Sequence, residues 1–116
     1  YEWVFNDYGQ KAKIITYDAK WTEQTFGYEH ISAKYTHDEA DKPLLRQLEQ
    51  LARSCWKVFD LYGYARVDYR VDTNKRPYIL ELNANPSFYG FYHLSKEWGF
   101  SFEQIIVSLV EQALTS

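Results

Sequence analysis

Residues 63–87 read GYARVDYRVDTNKRPYILELNANPS. Two runs rich in Val, Ile and Tyr flank the polar stretch DTNKRP, a pattern that predicts a β-hairpin. Asn74 suits the turn and Pro77 closes it. Each run also carries an acid in its middle, Asp68 in one and Glu81 in the other. Whether the turn is Thr73–Arg76 or only Asn74–Lys75, the register is the same. Asp72 faces Pro77, Arg70 faces Ile79, Asp68 faces Glu81 and Arg66 faces Asn83. Alternation then places Arg66, Asp68, Glu81 and Asn83 on one face, and Ala65, Val67, Val71, Tyr78, Leu80 and Leu82 on the other. An odd-length loop would oppose the acids to apolar residues and mix the two faces, so the binary pattern predicts the even register.

This register makes two carboxylates direct cross-strand neighbours, which is destabilising unless something neutralises them. Three solutions are open at this point. Arg66 and Arg70 can pair with the acids and make a salt-bridged face. One acid can hold a proton because of its neighbour. A divalent cation can bind both, with the amide oxygen of Asn83 completing an all-oxygen set that suits Mg²⁺ or Mn²⁺ rather than zinc. An ion held by so few protein ligands shares its remaining positions with substrate phosphates.

Working outward, residues 2–5 (EWVF) read as a short strand and AKIITYDAKW (12–21) as a strand running into a loop. Residues 22–35 show no clean period and read as loop. HDEADKP (37–43) reads as a helix start, with acids clustered and Pro43 at a first-turn position where its missing N–H costs nothing. Leu44, Leu45, Leu48, Leu51, Ala52, Cys55, Trp56 and Phe59 recur at helical spacing, and Gly63 is the expected stop. A last helix starts at Ser101, with Gln104 completing a capping box and an apolar stripe through Phe102, Ile105, Ile106, Leu109, Val110 and Ala113. The expected order is strand, strand, helix, strand, strand, helix. It predicts an α+β fold in which an antiparallel sheet carries helices packed on one face.

The 116 residues make one domain, 1–116, at most. The chain starts at Tyr1 and contains no Met, so a processed product or a fragment of a larger protein is expected. A net charge of −3 with both signs interspersed gives no polyanion-binding footprint, so no nucleic-acid partner is expected. No apolar run approaches the ~20 residues of a membrane span, and no membrane partner is expected. A single cysteine, Cys55, precludes an internal disulfide and fits a reducing, cytoplasmic setting. Aromatic residues make up 19% of the chain, which serves either a small core filled by large rings or a binding surface, the run FYGFYH (88–93) being the candidate.

GYARVDYRVD followed by RPYILELNANPS resembles the C-terminal core of ATP-grasp ligases, in the D-alanine–D-alanine ligase-like branch. The family pattern is roughly G-x-x-R-x-D, a hairpin, then E-x-N-x-x-P. IITYDAKW resembles the family's segment with a phosphate-contacting lysine, and SFEQIIVSLVEQAL its closing helix. The resemblance covers nearly the whole chain. It implies the C-terminal lobe of an ATP-grasp domain, with ATP and two Mg²⁺ (or Mn²⁺) ions as cofactors. By resemblance, Asp68, Glu81 and Asn83 are metal ligands, Arg66 stabilises charge on the transferred phosphoryl group, and Lys20 reaches the phosphates. The implied activity is an ATP-dependent carboxylate–amine ligase acting through an acylphosphate. Its partners are small-molecule carboxylate and amine substrates and the N-terminal and central ATP-grasp segments that this chain lacks. The isolated fragment is expected to be inactive. The alternatives are a non-catalytic ATP-grasp-like binding module and a structural or interaction domain. Asn85 and Pro86 read as turn-forming, with Asn85 also able to face the site, and His93 as structural or surface.

Overall fold

The computed structural model describes residues 1–15 and 20–115. They group into two compact units, residues 1–36 and 37–116.

In the first unit, strand β1 (Glu2–Phe5) pairs antiparallel with β2 (Ile31–Lys34), with Trp3 opposite Ala33. A one-turn helix, α1 (Phe26–His30), runs directly into β2 and is capped by the Thr25 hydroxyl, which accepts from the Tyr28 N–H. Tyr8 is the buried residue here, set between the rings of Phe5 and Phe26. The strand that pairs with β1 therefore lies inside the stretch read as loop, at Ile31–Lys34. Residues 12–15 form no strand, and residues 16–19 lie outside the described set. The ISAK sequence of β2 is too short to carry a period. Its strand conformation comes from pairing with β1, a tertiary cause that overrides weak local preference.

The second unit holds helix α2 (Lys42–Val58), the hairpin β3 (Arg66–Val71) and β4 (Pro77–Asn83), and helices α3 (Tyr89–Trp98) and α4 (Phe102–Thr115). A 3₁₀ turn, Glu39–Asp41, leads into α2, and Pro43 sits in its first turn as expected. The helix does not run on to Gly63. It ends at Val58, and Asp60 just beyond adopts a left-handed conformation (φ 49°), while the Leu61 N–H donates to Trp56 O at 3.1 Å and the Asp60 N–H to Lys57 O at 3.4 Å. These are the paired bonds of a Schellman stop, and Asp is among the few residues that enter this region cheaply. Phe59 consequently leaves the helical stripe and is 62% exposed.

α3 is absent from the sequence-based order, which treats the aromatic run 88–93 as the path to the next helix. Aromatics and Gly90 are poor helix formers, so propensity hides it. Packing makes it: Phe88 and Phe91 join Tyr64 and Phe102 in a ring cluster, and Ser95 on the same side is only 1% exposed. Gly99, at φ 74°, ends α3 in the left-handed conformation that glycine adopts freely. α4 begins as predicted. The Ser101 N–H donates to Gln104 Oε1 (2.9 Å) and the Gln104 N–H donates to Ser101 Oγ (3.1 Å).

The fold is α+β with antiparallel strands. The described strands form two two-stranded sheets, β1–β2 and β3–β4, rather than one continuous sheet.

Candidate functional site on the β3–β4 hairpin

The hairpin is organised from its turn. Asp72 Oδ1 accepts from the backbone N–H groups of Asn74 and Arg76, both at 2.9 Å, and the Lys75 N–H donates to Asp72 O at 3.1 Å. Lys75 is left-handed, at φ 62°. A β-turn followed by a left-handed residue is a three-residue hairpin connection, which is odd-length. The register beside the turn therefore differs from the even one expected: Val71 faces Pro77, Arg70 faces Tyr78 and Tyr69 faces Ile79.

Continued regularly, this register would set Asp68 against Leu80. A β-bulge between Asp68 and Tyr69 prevents that. Leu80 is passed over, Asp68 faces Glu81, Val67 faces Leu82 and Arg66 faces Asn83. The opposition of the acids is as expected, but it is reached by two compensating irregularities and not by an even loop. One face collects Arg66, Asp68, Arg70, Tyr78, Glu81 and Asn83, and the other Val67, Tyr69, Val71, Pro77, Ile79 and Leu82. Tyr78 thus changes face relative to the sequence expectation, and the extra residue Leu80 is 66% exposed.

The second face is anchored to α2. The Tyr69 hydroxyl donates to Leu48 O at 2.8 Å. Burial pushes the Tyr69 phenol above its usual value of 10.0, with the nearby Cys55 adding to the shift. At the turn, Lys75 reaches Asp41 at 3.4 Å.

On the first face, Arg66 grips Asp68 with both arms of its guanidinium. Nε donates to Oδ1 at 2.7 Å and an Nη to Oδ2 at 3.0 Å, and each side chain is 36% exposed. The ion-pairing solution to the acid problem is therefore present for Asp68. Across the ladder, Glu81 is exposed. Asn83 is half-buried, and its Oδ1 accepts the Asn85 N–H at 2.9 Å.

The donor chemistry fits a hard divalent cation. An ionised carboxylate has about four lone-pair positions, so the two Arg66 donors do not saturate Asp68. Asn83 Oδ1 retains a second lone pair beyond the one taken by Asn85. Among the described residues no group of three or more His, Cys, Asp and Glu side chains comes together. The hairpin thus offers two carboxylates and one amide oxygen, a set that leaves room for phosphate oxygens and water.

Arg66, Asp68, Glu81 and Asn83 all lie on one hairpin of the second unit. Lys20 lies in the first unit, exposed, next to the residues outside the described set. Sequence reading did not find the role of Asp72 in building the turn, or of Tyr64, whose hydroxyl donates to Asn85 Oδ1 at 3.1 Å. The N-x-N spacing of Asn83 and Asn85 was the available signal, because Asn side chains bond backbone N–H groups two residues on.

An α+β chain with an acid-bearing hairpin and a closing helix defines the class, and comparison with known proteins defines the family. Residues 4–111 match the family model described as D-ala D-ala ligase C-terminus, so the chain belongs to that family. It is 28% identical over 111 residues to a D-alanine–D-alanine ligase of Prochlorococcus marinus (strain MIT 9515), covering 91% of this chain and 31% of that protein. It is 28% identical over 107 residues to D-alanine–D-alanine ligase B of Clostridium perfringens, covering 90% of this chain and 34% of that protein. A D-alanine–D-alanine ligase of Bordetella petrii is 29% identical over 99 residues, covering 76% of this chain and 29% of that protein. The chain thus spans about a third of the length of these relatives. No solved structure matches significantly. No helix among the described residues is long and apolar enough to cross a membrane.

Proposed function

We propose that this chain forms the phosphate-binding wall of an ATP-dependent ligase that joins a carboxylate to an amine. The reading rests on family membership together with one observation, the direct opposition of Asp68 and Glu81 beside the Arg66 fork. On this reading residues 1–116 are one domain, the C-terminal lobe of an ATP-grasp protein. N-terminal and central segments supply the remainder of the nucleotide and substrate sites. Such a ligase works in the cytoplasm on small-molecule substrates, and the fragment alone does not turn over.

The reaction class is phosphoryl transfer followed by acyl transfer. A substrate carboxylate oxygen attacks the γ-phosphorus of ATP and ADP departs, giving an acylphosphate. An amine then attacks the acyl carbon, phosphate departs and the amine loses a proton. Asp68, Glu81 and Asn83 would hold Mg²⁺ or Mn²⁺, whose chemistry is to offset the charge of the phosphate oxygens. Arg66 has two tasks. Its fork orients Asp68, and its cation lies on the face where negative charge accumulates during transfer. Lys20 contributes a second cation to the phosphates.

The interaction-surface alternative retains Tyr89 and Tyr92, which are exposed, but loses Phe88 and Phe91. These two phenylalanines are half-buried and packed against Tyr64 and one another. The test is an assay of the longer protein containing this chain, with ATP, Mg²⁺ and a panel of amino acids that includes D-alanine. Phosphate release coupled to amide formation is expected, with Asp68→Asn and Glu81→Gln each slowing it by about 100-fold or more. A protein that binds ATP yet releases no phosphate across the panel overturns the ligase reading and leaves the non-catalytic module.

A further inference from the structure

The geometry points to Tyr64 and Asn85 as positioning residues that set the carboxamide of Asn83 for a cation. This inference rests on reading Asp68, Glu81 and Asn83 as the ion-binding set.

A carboxamide is a poorly defined ligand by itself. Its terminal torsion is broad and roughly two-fold, so the oxygen and the NH₂ group exchange places at little cost. A cation accepts only the oxygen. The structure supplies a reason for one orientation to win. The Asn85 N–H can bond only an acceptor, and it holds Asn83 Oδ1 at 2.9 Å.

The position of that N–H is fixed in turn. Asn85 precedes the buried Pro86, which restricts the Asn85 backbone to extended conformations. Its side-chain oxygen accepts the Tyr64 hydroxyl at 3.1 Å. Tyr64 is held by its ring, stacked on Phe88 with centroids 4.8 Å apart and meeting Phe91 edge-on at 5.8 Å. Phe88 packs edge-on against Phe102 of α4 at 5.9 Å. A continuous path therefore runs from the aromatic cluster through the Tyr64 hydroxyl and Asn85 to the oxygen of Asn83. Outer hydrogen-bond partners that orient a metal ligand change affinity by about 10–100-fold when removed.

Tyr64→Phe tests the path, since it deletes one hydroxyl and keeps the ring in its stack. Asn85→Ala removes the other partner of the same hydrogen bond, the side-chain oxygen, while keeping the backbone N–H that meets Asn83 Oδ1, and it carries the test if the first variant folds poorly. Mn²⁺ affinity of the 116-residue chain is measured alongside thermal melting and hydrogen exchange at the Asn85 amide. Tyr64→Phe is expected to weaken Mn²⁺ binding about tenfold and to speed Asn85 exchange, with melting nearly unchanged. The double variant is expected to be no weaker than Asn85→Ala alone, because both changes cut one path. A Tyr64→Phe protein that melts lower but binds Mn²⁺ as wild type does makes Tyr64 merely structural and overturns the proposal. Asp68→Asn separates the two levels. A wild type whose Mn²⁺ binding is indifferent to Asp68→Asn overturns the site reading and the positioning role with it.

Discussion

At the scale of single residues, the Arg66–Asp68 fork changes what removal of each acid should do. Both side chains are about a third exposed, so the pair is worth at most about 1 kcal/mol. Repulsion between cross-strand acids costs a few tenths of a kcal/mol, up to about 1. Asp68→Asn removes a favourable pair along with the repulsion, whereas Glu81→Gln removes the repulsion alone. Without metal, Glu81→Gln should melt at or above wild type and Asp68→Asn below it. The chain should bind Mn²⁺ at about millimolar affinity, about 4 kcal/mol, and both variants should lose that response. Thermal melts with and without Mn²⁺ check this, and a lower melt for Glu81→Gln with a wild type indifferent to Mn²⁺ contradicts it. Tyr69 supplies a pH-linked prediction. Its raised phenol favours the folded state while protonated. That contribution is fully present below the unfolded value of about 10 and is lost as pH rises through the higher folded value. Tyr69→Phe, which deletes the bond to Leu48 O, should cost about 1 kcal/mol near neutrality. The gap between wild type and variant should narrow above pH 10 in denaturant titrations. A gap that widens there assigns the wrong sign.

At the scale of elements, the hairpin shows how a correct juxtaposition arises from an unexpected path. Alternation of apolar and acidic residues made the opposition of Asp68 and Glu81 legible. The three-residue turn was less so, because its left-handed position holds Lys75 where glycine is usual. The bulge at Leu80 then restores the phase. Lys75→Gly follows as a test. Relief of the left-handed strain is worth about 1–2 kcal/mol, and the greater freedom of the unfolded chain takes back about 0.4–1. The exposed pair with Asp41, at 3.4 Å, adds little. A net gain of about 0.5–1 kcal/mol, or a few degrees in melting temperature, is expected by calorimetry. A loss of stability would mean that the Lys75 side chain does more than its conformation costs. α3 belongs to the same scale. Its residues favour a helix only when Phe88, Phe91 and Ser95 have a surface to pack on.

At the scale of the whole molecule, the decisive variant is Arg66→Ala in the longer protein. A cation that meets charge developing during phosphoryl transfer contributes to kcat, while uniform binding contributes to KM. Steady-state kinetics should show kcat reduced by about 100-fold or more, with a much smaller change in KM for ATP. Arg66→Lys should recover only part of the loss, since lysine keeps the charge but cannot form the fork to Asp68. A kcat near wild type with only KM raised would assign Arg66 to ground-state binding.

The elements legible from the chain are those whose information is local. Periodicity and Pro43 marked α2, the Ser101–Gln104 box marked α4, and the acid-bearing hairpin marked the candidate site. Helical stripes and caps are written in residues a few positions apart, so a single pass along the chain finds them. The remaining features arise from contacts between distant residues. β2 exists because β1 offers it hydrogen-bond partners, and α3 because an aromatic cluster awaits it. The fork of Arg66 onto Asp68 and the path from Tyr64 to Asn83 depend on where side chains turn. These features lie in contacts across the fold, where burial and pairing override local preference.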